Sequence, residues 1–419
     1  MARGWLKEYV ESHQELFLDI ALKGRRTPHP DFSLYKVIQP TGLMYGQPVS
    51  RHRDTESTSG NMKDKMKIML AESLIGSSIL FHDRSLRDLD EVSEVMMKTI
   101  DRISIFYTNV FPEMAASPTT LFGRKKTSLE LAEQILEKRI DCIDAKGNFW
   151  TGFFQNSLLF LDIFIFGQWI HTNADKIVSD FFKYEREELR ISLVKVMALA
   201  AHANHTLEQE EKKLLDYFLR IAQLPPAKKK ECRDIFEQGI SMEDLNLQTN
   251  NSWILKKYYL EIAILTLWAD KRVEETELLF LRSFADAMAF SNEDVENSML
   301  AVEGFLLENW SELDLFHDKK SDNQDVGKQY VDRMARLAAR HKDRLMKEVK
   351  SANALVAMLT KARTRELDEE EKMKLKEMLV EVLGTIPTFA IVSLPHRFLT
   401  LPIIMQILPK NFMVETFND

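Results

Sequence analysis

Acidic side chains that could coordinate a cation recur in two short stretches near the middle of the chain. The first stretch contains Glu208 and Glu211, and the second contains Asp270, Glu274 and Glu277. Hard cations such as calcium and magnesium prefer clustered carboxylate oxygens, so this pattern predicts a metal site. Acidic residues also favour the first turn of an ordinary helix, because the exposed amides there carry partial positive charge. The sequence leaves both interpretations open.

A second set of charged residues could bind phosphate groups. Hydrophobic periodicity predicts one long amphipathic helix over Tyr330–Lys361, and its polar face is rich in cations. The predicted contact residues are Arg333, Arg336, Arg340, Lys342, Arg344 and Lys347. Such a face could contact ribosomal RNA phosphates or anionic lipid headgroups. Because acidic residues between Asp332 and Glu348 dilute the positive charge, a solvated face without a ligand is an equal alternative.

Signs of catalysis are missing from the sequence. It contains no GxxxxGKS/T, GxGxxG, GxSxG or HExxH motif, and no histidine stands with Cys or Ser as a catalytic pair. We therefore predict that the protein is not an enzyme, with no catalytic residues and no cofactor.

Cys142 and Cys232 are far apart and lie in no CxxC motif, which argues against a disulfide framework and a zinc site. The formal net charge of −8 argues against DNA as a partner.

The composition indicates the fold that must position these residues. With 14 Gly and 12 Pro in 419 residues, the chain has few of the tight turns that an all-β fold needs. Abundant Leu, Glu and Lys, together with 19 Met, favour helices. We predict an all-α, multi-helical protein, and its length predicts two or three domains.

The first predicted region, residues 1–150, is helical with a long loop at about 23–62, where Pro, Gly, Ser and Thr accumulate. The next window, Phe149–Ile170, is the most apolar part of the first half. A spanning helix needs about 20 predominantly apolar residues. Since Gln155, Asn156 and Asp162 interrupt this window, a buried core helix is the preferred interpretation. The amino terminus lacks the apolar region of a signal peptide, so a cytoplasmic location is predicted.

An internal repeat organises the middle of the chain. The stretch 203–211 aligns without gaps onto 269–277, and the match continues through Phe218 and Phe284. In each copy an apolar helix ends at Ala, a polar turn follows, and an acidic turn opens the next helix. This pattern resembles the TerB-like domains of the tellurite-resistance family. The resemblance implies that residues 151–311 form a duplicated helical domain with pseudo-twofold packing.

Prolines punctuate the last part of the chain at intervals of about two helical turns. The motif positions are Pro387, Pro395, Pro402, Pro409, Lys410 and Asn411. Their order is similar to that of the Letm family, so residues 329–419 are identified as a Letm-like helical segment after a linker at 312–328. Because His396 and Arg397 interrupt the apolar run, we expect this tail to pack against protein rather than cross a bilayer.

The resemblances imply three alternative functions. The first is a non-enzymatic interaction protein that associates with the ribosome. The second is a membrane-associated factor in potassium, calcium or proton homeostasis, and the third is a metal or small-molecule sensor that uses the acidic turns of the TerB-like repeat. The predicted partners are accordingly the ribosome or a membrane surface. The predicted location is cytoplasmic, with a peripheral or an inserted position at the inner membrane as alternatives.

Overall fold

A computed structural model describes most of the chain. It covers residues 4–24, 30–39, 44, 62–120, 123–141, 149–172, 176–204, 207, 209–245, 252–268, 275–310, 321–390 and 392–409. These residues form helices joined by turns and contain no β-strand, only one isolated β-bridge between Thr119 and Lys125. The predicted all-α, multi-helical fold is confirmed. The chain divides into two compact units, Met1–Thr266 and Leu267–Asp419.

The first unit contains the first eleven helices, the last of which ends at the unit boundary. They are α1 (Trp5–Ser12), α2 (Gln14–Gly24), α3 (Pro30–Ile38), α4 (Met62–Leu80), α5 (Leu89–Val110), α6 (Ser128–Asp141), α7 (Phe149–Trp169), α8 (Lys176–Ala201), α9 (Gln209–Ile221), α10 (Pro226–Gln238) and α11 (Trp253–Leu267). The helix α4 packs against α2, α3, α5, α6 and α7, and it therefore lies at the centre of the unit.

The apolar window Phe149–Ile170 becomes the core helix α7. From Leu158 to Phe166 its side chains are buried, as is Trp169. Its single acid, Asp162, accepts hydrogen bonds from Tyr107 Oη at 3.0 Å and from Arg139 Nε at 2.7 Å. A buried carboxylate is tolerated when it is paired in this way. The prediction of a buried core helix is confirmed, and no helix in the described ranges has the length and apolar character needed to cross a bilayer.

The structure differs from the sequence-based expectation within the predicted loop at about 23–62. Residues Pro30–Ile38 form the helix α3, and Pro30 occupies its first position, where the missing N–H costs nothing. The helix is held on α11 because Tyr35 Oη donates to Glu261 at 2.5 Å and Asp31 accepts from Ser252 Oγ at 2.8 Å. Most of the remaining loop prediction lies outside the described residues.

Helix boundaries reproduce the sequence repeat. The helix α8 ends at Ala201 and α11 ends at Leu267, a shift of 66 residues (267 − 201). The helices α9 and α12 (Glu275–Ala287) have equal length and the same shift, and α10 and α13 (Asn292–Glu308) also begin 66 residues apart. The boundaries of these helices therefore follow the 66-residue offset of the gapless alignment (269 − 203).

The two copies also share an unusual backbone conformation. Gln223 follows α9 with a φ of 50°, and Ala289, which is 66 residues later (289 − 223), follows α12 with a φ of 62°. They are the two non-glycine residues with positive φ in the described chain. The left-handed region commonly ends a helix.

The boundary between the compact units falls within the predicted range 151–311, and the pseudo-twofold packing of the copies stays a prediction.

The second unit contains the remaining helices. They are α12, α13, α14 (Ser321–Arg340), α15 (Lys342–Ser351), α16 (Asn353–Thr364), α17 (Glu369–Gly384) and α18 (Leu401–Ile407). The prediction of one long helix over Tyr330–Lys361 is wrong, because the helix is interrupted at His341 and Ala352. The predicted linker 312–328 is also too long, since α14 already begins at Ser321; the rest of the linker lies outside the described residues.

The proline-containing tail packs within the second unit. It forms a 3-10 turn at Pro387–Ala390, an irregular segment over 392–400 and the short helix α18, whose Ile404 and Ile407 are buried. A Cβ on Gly327 of α14 would lie 3.0 Å from the Phe398 ring, so the glycine permits this close approach. For its described residues, the expectation that the tail packs against protein is confirmed.

Candidate polyanion-binding surface

The candidate site consists of the predicted cationic residues on α14 and α15. We name this set the cationic stretch: Arg333, Arg336, Arg340, Lys342, Arg344 and Lys347. The break at His341 places the first three on α14 and the last three on α15. The structure therefore divides between two helices a set that the sequence predicts on one.

Two arginines of the cationic stretch are fixed by acids of α13. Arg333 Nε donates to Glu303 Oε1 at 3.1 Å, and the Glu303 side chain is fully buried. Arg340 Nη2 pairs with Glu296 at the solvent-exposed end of the same helix contact. Since α13 and α14 also pack directly, these pairs fix the rotation of α14 about its axis. They also neutralise part of the positive charge.

The other arginine of α14 and two cations of α15 point into solvent. Arg336, Arg344 and Lys347 are exposed. Arg344 and Lys347 lie one turn apart, and neither forms an ion pair with another described residue. Lys342 is half-buried. Between Arg333 and Lys350 the chain carries seven cationic and two acidic side chains, a net charge of +5 (7 − 2). This stretch of sequence is thus locally positive on a chain whose net charge is negative.

The helix α15 presents these cations because its other side is apolar. Leu345, Met346 and Val349 are buried and pack against α16 and α17. Burying one face of a ten-residue helix leaves the opposite face to solvent, where long cationic side chains are well hydrated. Arg344 and Lys347 therefore project from a helix whose orientation is set by its core.

The segment that contains Pro395 packs on α13. Pro395 is buried and its Cδ lies 3.5 Å from the Cβ position of Gly304 on α13. The next turn is held because Glu308 Oε2 accepts the Arg397 backbone N–H at 2.9 Å, while the Arg397 side chain is exposed. Pro402 lies in the first turn of α18 and Pro409 follows that helix, whereas Pro387 opens the 3-10 turn. Lys410 and Asn411 lie outside the described residues.

The structure places only two of the predicted metal ligands. Glu211 of α9 and Glu277 of α12 occupy equivalent positions of the repeat and are both buried. Glu208, Asp270 and Glu274 lie outside the described residues. Within the described part of the chain, no group of three or more His, Cys, Asp or Glu side chains is arranged to hold a metal ion. The metal site stays a prediction.

Sequence reasoning missed the buried carboxylate behind the cationic stretch. Burial raises the pKa of Glu303 to about 7, and the opposing attraction of Arg333 is weaker. Beside it, the buried Tyr330 hydroxyl and Glu303 Oε2 have no hydrogen-bond partner among the described residues. One signal was available, because Glu303 interrupts an otherwise apolar run from Met299 to Leu307.

Comparisons of the chain with protein-family models, with curated proteins and with solved structures find no match. The Letm and TerB resemblances therefore rest on the residues quoted above and stay predictions.

Proposed function

We propose that this protein is a non-enzymatic interaction protein that binds ribosomal RNA through the cationic stretch of its second unit. The observation that carries the proposal is the exposed trio Arg336, Arg344 and Lys347 in a stretch of net positive charge. The Letm resemblance of the adjoining tail is consistent with the ribosome as the source of that RNA.

The chemistry of the trio suits a phosphate backbone. A guanidinium group can donate two parallel hydrogen bonds to one phosphate, and a lysine adds a compact charge. Neutralising phosphates releases bound counterions, so binding of this kind weakens steeply as salt rises. Because Arg333 and Arg340 are already paired with α13, we expect them to orient α14 rather than to contact phosphate.

Lipid headgroups offer the same phosphate chemistry, and this alternative is separated by experiment. The purified full-length chain is titrated into a fluorescein-labelled ribosomal RNA hairpin and, separately, into vesicles containing phosphatidylglycerol. Fluorescence anisotropy and vesicle flotation are measured between 50 and about 300 mM salt, the range over which phosphate contacts lose most of their affinity. We expect RNA binding that weakens with salt and no flotation with vesicles.

The test variant is Arg344→Glu/Lys347→Glu, because both side chains are exposed and unpaired in the described chain. Losing two phosphate contacts should lower the slope of log affinity against log salt by about 1.4 to 1.8. The matched control, Lys230→Glu/Arg282→Glu, changes the net charge equally at exposed positions of α10 and α12. Equal loss of RNA binding in both variants would refute the proposal, and vesicle binding that depends on Arg344 would assign the surface to lipid.

A further inference from the structure

A stripe of apolar side chains is exposed at the start of α8 in the first unit. Ile177, Phe181 and Tyr184 are 82%, 55% and 61% exposed. Their spacing of four and three residues places them on one face of the helix. The opposite face is anchored, since Ser179 and Phe182 are buried. Contiguous exposed apolar side chains of this size are typical of an interaction site rather than of an idle surface.

The helix α5 runs beside the first part of α8. Arg102 of α5 donates to the Thr172 carbonyl just before α8, at 2.7 Å, and Arg186 of α8 donates to the Val110 carbonyl at the end of α5, at 3.2 Å. The two helices therefore run side by side along this length. Between the two anchor points, α5 exposes Ile105, and Asp101 lies one turn before it.

Acidic residues border the stripe. Every charged residue three or four positions from a stripe residue on α8 is an acid, namely Asp180, Glu185, Glu187 and Glu188. Glu185 is partly buried, and this burial, together with the neighbouring Glu188, raises the pKa of its carboxyl group. Three lysines oppose these acids, and the exposed Lys176 is the one next to Ile177. Lys183 pairs with Asp180 at 3.2 Å, and Lys228 of α10, which pairs with Glu231 at 3.0 Å, lies near Glu188 and Tyr184.

The charge pattern selects among possible occupants. A second copy of this chain would bring the same four acids against each other, which costs energy by like-charge repulsion. An anionic membrane surface would repel the same acids. A helix with an apolar stripe and flanking Lys or Arg would satisfy both the exposed apolar side chains and the acidic border.

We propose that the stripe Ile177–Phe181–Tyr184, with its acidic border, docks a basic amphipathic helix of a protein partner. The partner packs apolar residues spaced by three and four positions onto the stripe, and its Lys or Arg side chains pair with Glu187 and Glu188.

The test uses the full-length chain and a designed peptide as probe. The probe is a fluorescein-labelled helix-forming peptide with leucines spaced by three and four residues and flanking lysines, and binding is measured by fluorescence anisotropy. Phe181→Ser should weaken binding about tenfold or more, because aromatic side chains at the centre of an interface carry much of its affinity. The control Leu279→Ser removes an apolar side chain of 58% exposure on α12 and should change binding less than twofold.

Charge dependence is tested with a second probe and a second variant. A peptide with glutamates in place of lysines should show no binding that depends on Phe181. The variant Glu187→Lys/Glu188→Lys should weaken binding of the basic peptide and strengthen that of the acidic one. Glu187 and Glu188 are half-buried, so circular dichroism is recorded for this variant as well as for Phe181→Ser. The opposite responses of the two peptides keep the proposal testable if Phe181→Ser alters folding.

Three outcomes would overturn the proposal. The first is equal binding of the basic peptide to Phe181→Ser and Leu279→Ser. The second is flotation with phosphatidylserine vesicles that depends on Phe181, which would assign the stripe to a membrane. The third is a concentration-dependent dimer, seen by sedimentation equilibrium and lost in Phe181→Ser, which would assign the stripe to a second copy of the chain.

Discussion

The buried Glu303 should make the stability of the second unit fall as pH rises. Its ordinary pKa is 4.5, and burial raises the pKa to about 7 in the folded chain. Between these values the folded protein binds a proton that the unfolded chain has released, so the free energy of unfolding decreases with increasing pH. One unit of pKa corresponds to about 1.4 kcal/mol, so the full decrease amounts to about 3 kcal/mol. The decrease begins near pH 4.5 and is complete above pH 7.

Glu303→Gln isolates this contribution. Glutamine keeps a carbonyl oxygen for Arg333 and stays neutral at every pH, so the pH-dependent loss should disappear. Urea denaturation, followed by circular dichroism at pH 4.5, 6, 7 and 8, gives the free energy of unfolding of both proteins. From pH 4.5 to pH 8 the free energy of unfolding of wild type should fall by about 3 kcal/mol relative to that of the variant. All other titrating groups are shared and cancel in the difference.

The matched control is Glu296→Gln, which removes an acid from the exposed pair with Arg340 on the same helix. Exposed ion pairs contribute little to stability, so this variant should follow wild type at each pH. A difference for Glu303→Gln that stays constant from pH 4.5 to pH 8 would refute the reasoning. It would mean that the pKa of Glu303 is the same in the folded chain as in the unfolded chain.

Three further predictions concern the first unit and the repeat. Asp162→Asn should destabilise the protein by about 3 kcal/mol or more in urea denaturation, because it breaks the buried ion pair with Arg139. Gln223→Gly and Ala289→Gly should each raise the free energy of unfolding by about 0.5 to 1 kcal/mol, since glycine adopts positive φ without strain. Burial raises the pKa of the Cys232 thiol to about 11, so in a Cys142→Ser background iodoacetamide should alkylate it roughly 100-fold more slowly than a free thiol at pH 8.

Each of these predictions has a control. Lys98→Ala breaks an exposed pair with Glu94 and should leave the denaturation midpoint unchanged. If Asp162→Asn also left the midpoint unchanged, burial would not strengthen the effect of losing an ion pair. Ala357→Gly lies within α16 and should destabilise by about 1 kcal/mol; a loss of that size at Gln223 and Ala289 would count against strain there. Fast alkylation of Cys232 before unfolding would show that the thiol is accessible.

Local sequence signals located many helices and caps. The spacing of Thr127 and Glu130 is that of a capping box, and in the structure Glu130 N donates to Thr127 Oγ1 at 3.2 Å. Asp368 and Glu371 have the same spacing and form a second capping box. The apolar window that becomes α7 is recognisable as core because Gln155, Asn156 and Asp162 interrupt it, which is unfavourable for a membrane span. These features depend on neighbours in sequence, which is why they could be predicted.

Other features depend on contacts that sequence patterns do not encode. The interruptions at His341 and Ala352 contain no Gly or Pro, so periodicity alone predicted one continuous helix. Pro30 reads as a loop residue but opens α3, because tertiary contacts with α11 stabilise the helix that follows. The stripe on α8 has ordinary core spacing, and only the structure reveals that this face is exposed.

Cosedimentation with purified ribosomes tests the proposed function most directly. At about 100 mM salt the full-length chain should pellet with ribosomes, and it should be released as salt rises toward about 500 mM, because phosphate contacts are salt-dependent. Arg344→Glu/Lys347→Glu should remain in the supernatant, whereas the charge-matched Lys230→Glu/Arg282→Glu should pellet like wild type. Wild type that never pellets, or an Arg344→Glu/Lys347→Glu variant that pellets fully, would contradict the assignment of the cationic stretch to ribosomal RNA.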